Sequence, residues 1–359
     1  MEAEMKIPQL NIGSITADIP IVQGGMGVRV SLSSLAAAVA REGAVGTISS
    51  IGLGDPEASK NEYEKASREA LEQEIRKAKS MTNGHLAVNF MGVLSNVDDL
   101  ILAAVREGIK MIVYGAGLPA KLPGLVQDPS VNLVPIVSSG RVAELILRSW
   151  EKRFARTADA LILEGPLAGG HLGFSPEQLQ HIDDYSLEKL IPEILEAVKP
   201  FEDRFGKKIP VIAGGGVYTG ADIARMLSLG ASGVQIATRF VCTEECGVSR
   251  EFKQSYLDAK EEDIVIIKSP VGMPGRAIRN KFLKKLEVVD KLQIKCDYRC
   301  LTACKVAEAK YCIALALVNS YEGDVDNGLI FCGQNAYRIN KIVTVKEIIA
   351  ELMAELEAV

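Results

Sequence analysis

The chain has 359 residues, more than a domain of ordinary size and ample for one large α/β barrel. Hydrophobic residues make up 48% and charged residues 24%, a globular rather than a disordered balance. Aromatics reach only 5%, and 41 Lys and Arg stand against 46 Asp and Glu for a net charge of −5, which argues against an aromatic-rich β-sandwich, against stacking platforms for single strands and against a nucleic-acid partner.

The opening MEAEMKIPQL carries no basic stretch leading into an apolar run, so a secretion signal is not expected. No run approaches the roughly 18 apolar residues of a membrane span. A soluble, cytoplasmic protein with no membrane partner is expected. Its seven cysteines are an odd number in a large chain without a leader, which favours reduced thiols over a disulfide framework.

Short Val/Ile-rich runs then alternate with helix-period stretches. The expected strands are 19–23 (IPIVQ), 44–50 (AVGTISS), 85–90 (HLAVNF), 110–115 (KMIVYG), 132–137 (NLVPIV), 159–165 (DALILEG), 209–215 (IPVIAGG) and 233–239 (GVQIATR). They are almost continuously apolar, as parallel strands buried on both faces must be. Helical stretches at 32–43, 98–108 and 219–230 end on Gly43, Gly108 and Gly230 and lead straight into a strand. Glycine there supplies the left-handed cap of a tight αβ turn. Eight such strands match an α/β fold of the (β/α)8 TIM barrel type, with a doubly wound open sheet as the structural rival. Residues 55–80 read as a charged outer helix with i,i+4 pairs. Residues 1–283 are expected to form the barrel, and 284–359 a C-terminal helical extension packed on it.

In a barrel the chemistry sits at the carboxyl ends of the strands. Glycines concentrate there: Gln23-Gly24-Gly25-Met26-Gly27 after the first strand, Gly115-Ala116-Gly117 after the fourth, Glu164 through Gly169, Gly170 and His171 after the sixth, and Gly214, Gly215 and Gly216 after the seventh. The seventh and eighth strand ends together suit a phosphate, because absent side chains let backbone N–H groups approach the anion. No GxxxxGK[ST] loop and no GxGxxG opening a βαβ unit is present, so a nucleoside triphosphate or a Rossmann-type dinucleotide is not expected. His171 follows two glycines just past a strand end, where an imidazole can exchange a proton, or can simply be an exposed loop residue. His85 opens a strand at the opposite end, and His181 lies in a polar segment. No metal is expected. Cys296, Cys300, Cys304 and Cys312 recur at spacings that line one face of a helix, and Cys242 and Cys246 share the spacing. Zinc and iron–sulfur motifs are usually tighter, so buried small apolar side chains are the expected role.

Taken together, PIVQGGMG (20–27), VNFM (88–91), YGAGLP (114–119), EGPLAGGHLGF (164–174), IPVIAGGGV (209–217), GASGVQIATRF (230–240) and SPVGMPGRAIRN (269–280) resemble the FMN-dependent nitronate monooxygenase family, also called 2-nitropropane dioxygenases, and its relatives the FMN-dependent enoyl-acyl-carrier-protein reductases. The resemblance covers about residues 18–283. It implies an FMN barrel. The turn from Gln23 to Met26 (Gln23, Gly24, Gly25, Met26) and Asn89 would touch the flavin ring and ribityl chain. Glu164 and Gly169 would line the ring, and Gly214, Gly215, Gly216, Gln235, Ile236, Ala237 and Thr238 would cradle the phosphate. His171 matches the active-site histidine. Relatives often carry Gly where this chain has Ala237, and monooxygenase relatives often carry Gln in place of Glu164. The resemblance implies oxidation of a small nitronate or, as the alternative, reduction of an enoyl thioester with NADH or NADPH as reductant, in a homodimer. A different class, a non-redox phosphate-sugar isomerase or synthase, would give a colourless protein.

Overall fold

The computed structural model describes residues 7–55, 58–296, 299–302 and 304–359. The first six residues of the opening segment, and positions 56–57 of the charged stretch, lie outside the described residues. Eight parallel strands form one sheet: β1 (Ile21–Gln23), β2 (Gly46–Ser49), β3 (Leu86–Met91), β4 (Met111–Gly115), β5 (Asn132–Val137), β6 (Leu161–Glu164), β7 (Val211–Gly214) and β8 (Gly233–Ile236). Each expected run overlaps one of them, β3 running one residue past its expected end to Met91. Each strand pairs with its sequence neighbour. β8 pairs in parallel with β1, and a parallel bridge between Val22 and Val45 joins β1 to β2. The sheet therefore closes on itself, and the open-sheet rival falls away.

The barrel interior is aliphatic. Val22, Val45, Ala87, Val113, Val134, Ala160, Ile162 and Ile212 pack together there, which is why the strands carry no polar alternation. A two-stranded hairpin, Leu10–Ile12 and Ile15–Ala17, presents Leu10, Ile12, Ile15 and Ala17 to this same cluster and turns Asn11 and Thr16 outward. It plugs the amino-terminal mouth. His85 belongs to that end, its Nε2 2.8 Å from the Thr16 carbonyl oxygen.

The surrounding helices are α1 (Ser33–Arg41), α2 (Lys60–Met81), α3 (Val97–Arg106), α4 (Leu122–Leu125), α5 (Gly140–Phe154), α6 (Leu187–Phe205), α7 (Gly220–Ser228) and α8 (Thr238–Val241). Gly43, Gly108 and Gly230 take φ of +83°, +79° and +98°, the left-handed region that their turns demand. The charged helix begins at Lys60 because the Ser59 backbone N–H donates to Glu62 at 3.1 Å, half of a capping box. It shows solvent its ion-paired side, including Lys60–Glu64 and Lys65–Glu69, and buries Tyr63, Leu71, Ile75 and Ala78.

Two readings need correction. β8 stops at Ile236, and residues 238–241 form the helical turn α8 instead of continuing the strand, closed by the Phe240 N–H on the Ala237 carbonyl oxygen at 2.9 Å. α4 and α8 are single turns, too short to cover the outside of the barrel. After α8 come α9 (Arg250–Leu257), the antiparallel strands β9 (Ile264–Lys268) and β10 (Pro274–Ile278), α10 (Lys281–Val288), α11 (Ile313–Glu322) and α12 (Val345–Glu357). α12 packs against α7, α8 and α1, the position next to β8 that the single turn α8 leaves uncovered, with Ile348, Leu352 and Leu356 buried. The second correction concerns the cysteines: among the described residues no helix runs between Val288 and Ile313, so Cys296, Cys300 and Cys304 do not line a helical face. Cys242 and Cys246 follow α8, outside any helix or strand, and are buried.

The seating of α12 makes a stability prediction. Leu352→Ala should lower the free energy of unfolding by about 2–5 kcal/mol, the range for a buried leucine truncated with incomplete relaxation. A denaturant midpoint for the main transition equal to wild type would show that the barrel does not depend on its last helix.

Candidate active site

The carboxyl ends of the strands surround an open cavity of about 1480 Å³ counting the space of its mouth. Gly24, Gly25, Met26, Asn89, Glu164, Gly169, His171, Gly215, Gly216, Gln235, Ile236, Ala237 and Thr238 all line it. Gln23 and Gly214 do not. Gln23 is fully buried behind the first turn. Its Nε2 donates to Ser31 Oγ at 2.8 Å and its Oε1 accepts from the Thr47 N–H at 2.9 Å. Ser31 Oγ in turn accepts from the Met26 N–H at 3.0 Å. The glutamine thus shapes the glycine turn from below.

Two features show what the cavity can hold. Asn89 Oδ1 is buried with no hydrogen-bond partner, an acceptor whose desolvation a ligand N–H or O–H would offset. The glycines clear space: Gly215 and Gly216 take φ of +97° and +96°, and a Cβ on Gly215 would stand 2.9 Å from Ala168 N and Gly165 O. A Cβ on Gly25 would stand 2.4 Å from Asn89 Cβ. One wall is thereby bare backbone, which suits a flat ring, and the neighbouring strand ends suit an anion.

His171 sits on a short strand, Gly170–His171, paired with β10 through Gly275. Its Nε2 lies 2.7 Å from Ser269 Oγ, and the Phe331 ring meets it edge-on with centroids 5.0 Å apart. Burial lowers its pKa to about 4, so the ring is neutral at physiological pH. Where Ser269 accepts from Nε2–H, Nδ1 keeps a lone pair and can take a proton. Where Ser269 donates, Nδ1 carries the proton and can donate instead. Glu164, which also lines the cavity, is pushed up to about 7 by burial. Two groups are thus driven apart in opposite senses by desolvation, a base that stays neutral and an acid that keeps its proton near neutrality.

The loop before His171 is anchored by the buried Arg276 of β10, whose Nη1 donates to the carbonyl oxygens of Pro166 and Ala168. Above it passes a segment that motif reading did not single out. The Gln334 N–H donates to the Leu167 carbonyl oxygen at 3.1 Å, the Gly333 N–H to Thr238 Oγ1 at 3.2 Å, and Asn335 Nδ2 to the Gly216 carbonyl oxygen at 2.7 Å. Gly169 is required by this crossing, since a Cβ there would be 2.6 Å from the Cys332 carbonyl carbon. Phe331 through Asn335, with Leu317 of α11, complete the cavity wall. Ser269 lies inside a quoted motif but carried no chemical signal until β9 and β10 folded it against His171. His181 is exposed and away from the cavity. Among the described residues no helix is long and apolar enough to cross a membrane.

The pKa values set a pH profile. If turnover needs neutral His171 and protonated Glu164, kcat/KM should fall below about pH 4 and above about pH 7. Glu164→Gln should remove the limb near 7 and leave the acidic one, whereas an alkaline limb unchanged in that variant would clear Glu164 of the role. Stability follows the same signs. Glu164, with its pKa raised by burial from its ordinary 4.5, contributes stability below that value, and this is lost as pH rises through 7. His171, lowered from 6.5, costs stability progressively as pH falls below 6.5.

Comparison with known proteins agrees with this geometry. A family model described as nitronate monooxygenase matches residues 9–355. A Mycobacterium tuberculosis protein named (3aS,4S,5R,7aS)-5-hydroxy-7a-methyl-1-oxo-octahydro-1H-indene-4-carboxyl-CoA dehydrogenase is 28% identical over 268 residues, 75% of this chain and 65% of that protein. The chain thus spans less than two thirds of the length of that relative. A probable nitronate monooxygenase of Staphylococcus saprophyticus is 26% identical over 323 residues, 80% of this chain and 82% of that one. The solved structure of FabK from Thermotoga maritima superposes with a TM-score of 0.72 at 26% identity, covering 95% of this chain and 94% of that one.

Proposed function

The chain belongs to the nitronate monooxygenase family, an oxidoreductase family, and on that premise we propose that it binds FMN and oxidises small alkyl nitronates. The observation that carries the reading is a neutral imidazole, His171, held by Ser269 at the edge of a cavity with one bare glycine wall. In this reading Gly24, Gly25, Met26 and Asn89 hold the flavin ring, and Gly215, Gly216, Ala237 and Thr238 hold its phosphate. Glu164 and Gly169 stand along the ring. Gln23 and Gly214 act from behind as supports. Residues 1–283 carry the cofactor, and 284–359 supply the wall above it.

Bound FMN would supply the redox chemistry; the protein supplies placement and charge. His171 takes the α-proton of a nitroalkane at its free ring nitrogen or, as a donor, steadies the nitronate oxygens. Glu164, protonated below about 7, donates a hydrogen bond to an anionic oxygen without placing a second negative charge beside it. The segment 331–335 keeps bulk water from this face.

A second reading, reduction of an unsaturated thioester with NADH or NADPH, is favoured by the Mycobacterium tuberculosis relative, whose name specifies a carboxyl-CoA compound. Anaerobic mixing separates the two. Bleaching of the 450 nm flavin band by an alkyl nitronate, with indifference to NADH and NADPH, is expected. Rapid bleaching by a nicotinamide and none by nitronate would overturn the nitronate reading in favour of the thioester one. A purified protein without a flavin band, unable to take up added FMN, would sink both. A homodimer is the expected assembly, measurable by sedimentation.

A further inference from the structure

Cys296, Cys300, Cys304 and Cys312 lie outside the cavity, yet the fold gathers them. Cys300 is buried and forms one cluster with Tyr63 of α2, against which Cys296, Cys312 and Leu301 pack. Cys304 is folded back beside Leu301 by a turn in which its N–H donates to the Leu301 carbonyl oxygen at 3.4 Å. Four cysteines gathered on one patch, from positions 4, 4 and 8 residues apart with no helix to align them, need a reason.

Packing alone does not supply it. A cysteine serving as a small apolar side chain is normally fully buried, and Cys242, Cys246 and Cys332 are so. Cys296, Cys304 and Cys312 are only half-buried. The segment that carries them, between Val288 and Ile313, has no helix among its described residues. A stretch of that length without regular structure is uncommon inside a compact domain unless something organises it. Among the described residues no disulfide does so.

We propose that Cys296, Cys300, Cys304 and Cys312 form a four-thiolate site for a thiophilic metal centre, either a single zinc ion or an iron–sulfur cluster. Both use four cysteine thiolates, and loading would release the thiol protons to solvent. Among the described residues no three candidate ligands are already set to hold an ion, so the sulfurs close further on loading.

Placement gives the site its consequence. The Ser95 N–H donates to the Cys300 carbonyl oxygen at 3.0 Å, the Thr302 N–H to the Val93 carbonyl oxygen at 2.9 Å, and Leu94 bridges Leu301. The cysteine segment is thus seated on the loop after β3, the strand that carries Asn89. Cys312 caps α11, whose Leu317 reaches the cavity wall. A metal here would brace the cavity from outside and take no part in the reaction.

The test is metal and sulfide analysis of the full chain purified without oxygen, before and after incubation with zinc alone or with ferrous iron and sulfide. One zinc per chain, or iron with matching acid-labile sulfide, is expected, the two distinguishing the ion from the cluster. Cys304→Ser and the double variant Cys296→Ser/Cys304→Ser change half-buried positions. They should keep the circular dichroism of the parent and lose metal content at least tenfold. Wild-type protein that takes up neither metal in any of these incubations would overturn the site. So would a correctly folded double variant that binds as much metal as wild type. The flavin content of the same samples reports separately on the cofactor, so failure of the metal site leaves the redox reading standing.

Discussion

His171→Ala should lower turnover about 10²–10⁴-fold, the range for removal of a positioned acid–base group, while the protein stays yellow. The imidazole reaches Ser269 and Phe331, and neither belongs to the glycine wall or to the residues proposed to hold the phosphate. Flavin content, read from the 450 nm band per chain, should therefore match wild type. Ser269→Ala should cost less, about tenfold, because it removes the partner that fixes the ring's orientation and not the ring itself. The Ser269 variant separates orientation from proton transfer. Wild-type turnover in His171→Ala would take the residue out of the mechanism, and loss of flavin in it would recast the histidine as a cofactor contact.

Gly215→Ala should abolish the colour instead. Its φ of +97° costs an L-residue about 1–2 kcal/mol, and the new Cβ would meet two backbone atoms, Ala168 N and Gly165 O, at 2.9 Å. Backbone cannot rotate aside as a side chain can. The 165–168 loop must shift, and with it the space between strand ends β6 and β7. FMN affinity of the apoprotein, followed by titration, should fall at least tenfold. Gly206→Ala is the control: it also has positive φ, +58°, but nothing lies within 4 Å of its Cβ and it caps α6. A Gly206 variant that loses flavin as severely would attribute the effect to general destabilisation.

These two variants fall on features that the chain announced early. His171 after two glycines, and the glycine runs after the seventh strand, are local signals, because a strand end that must admit a ligand has no room for Cβ. The eight strands were equally legible, since parallel strands buried on both faces leave long apolar runs. The overreach at 237–239 has a simple cause. Ala, Thr and Arg do not mark the switch from strand to turn, which is set by the Phe240–Ala237 hydrogen bond.

By itself, the sequence determined the barrel strands, the glycine caps, the cavity's bare wall and its histidine, all of which depend on neighbours a few residues apart. Only the tertiary structure decided the rest. It turned Gln23 inward and brought Ser269 within hydrogen-bond reach of His171. It laid 331–335 across the loop at Gly169, seated α12 beside the single turn α8, and gathered four cysteines without a helix. Each of these joins positions far apart in the chain through packing, and packing between distant segments leaves no periodicity to read.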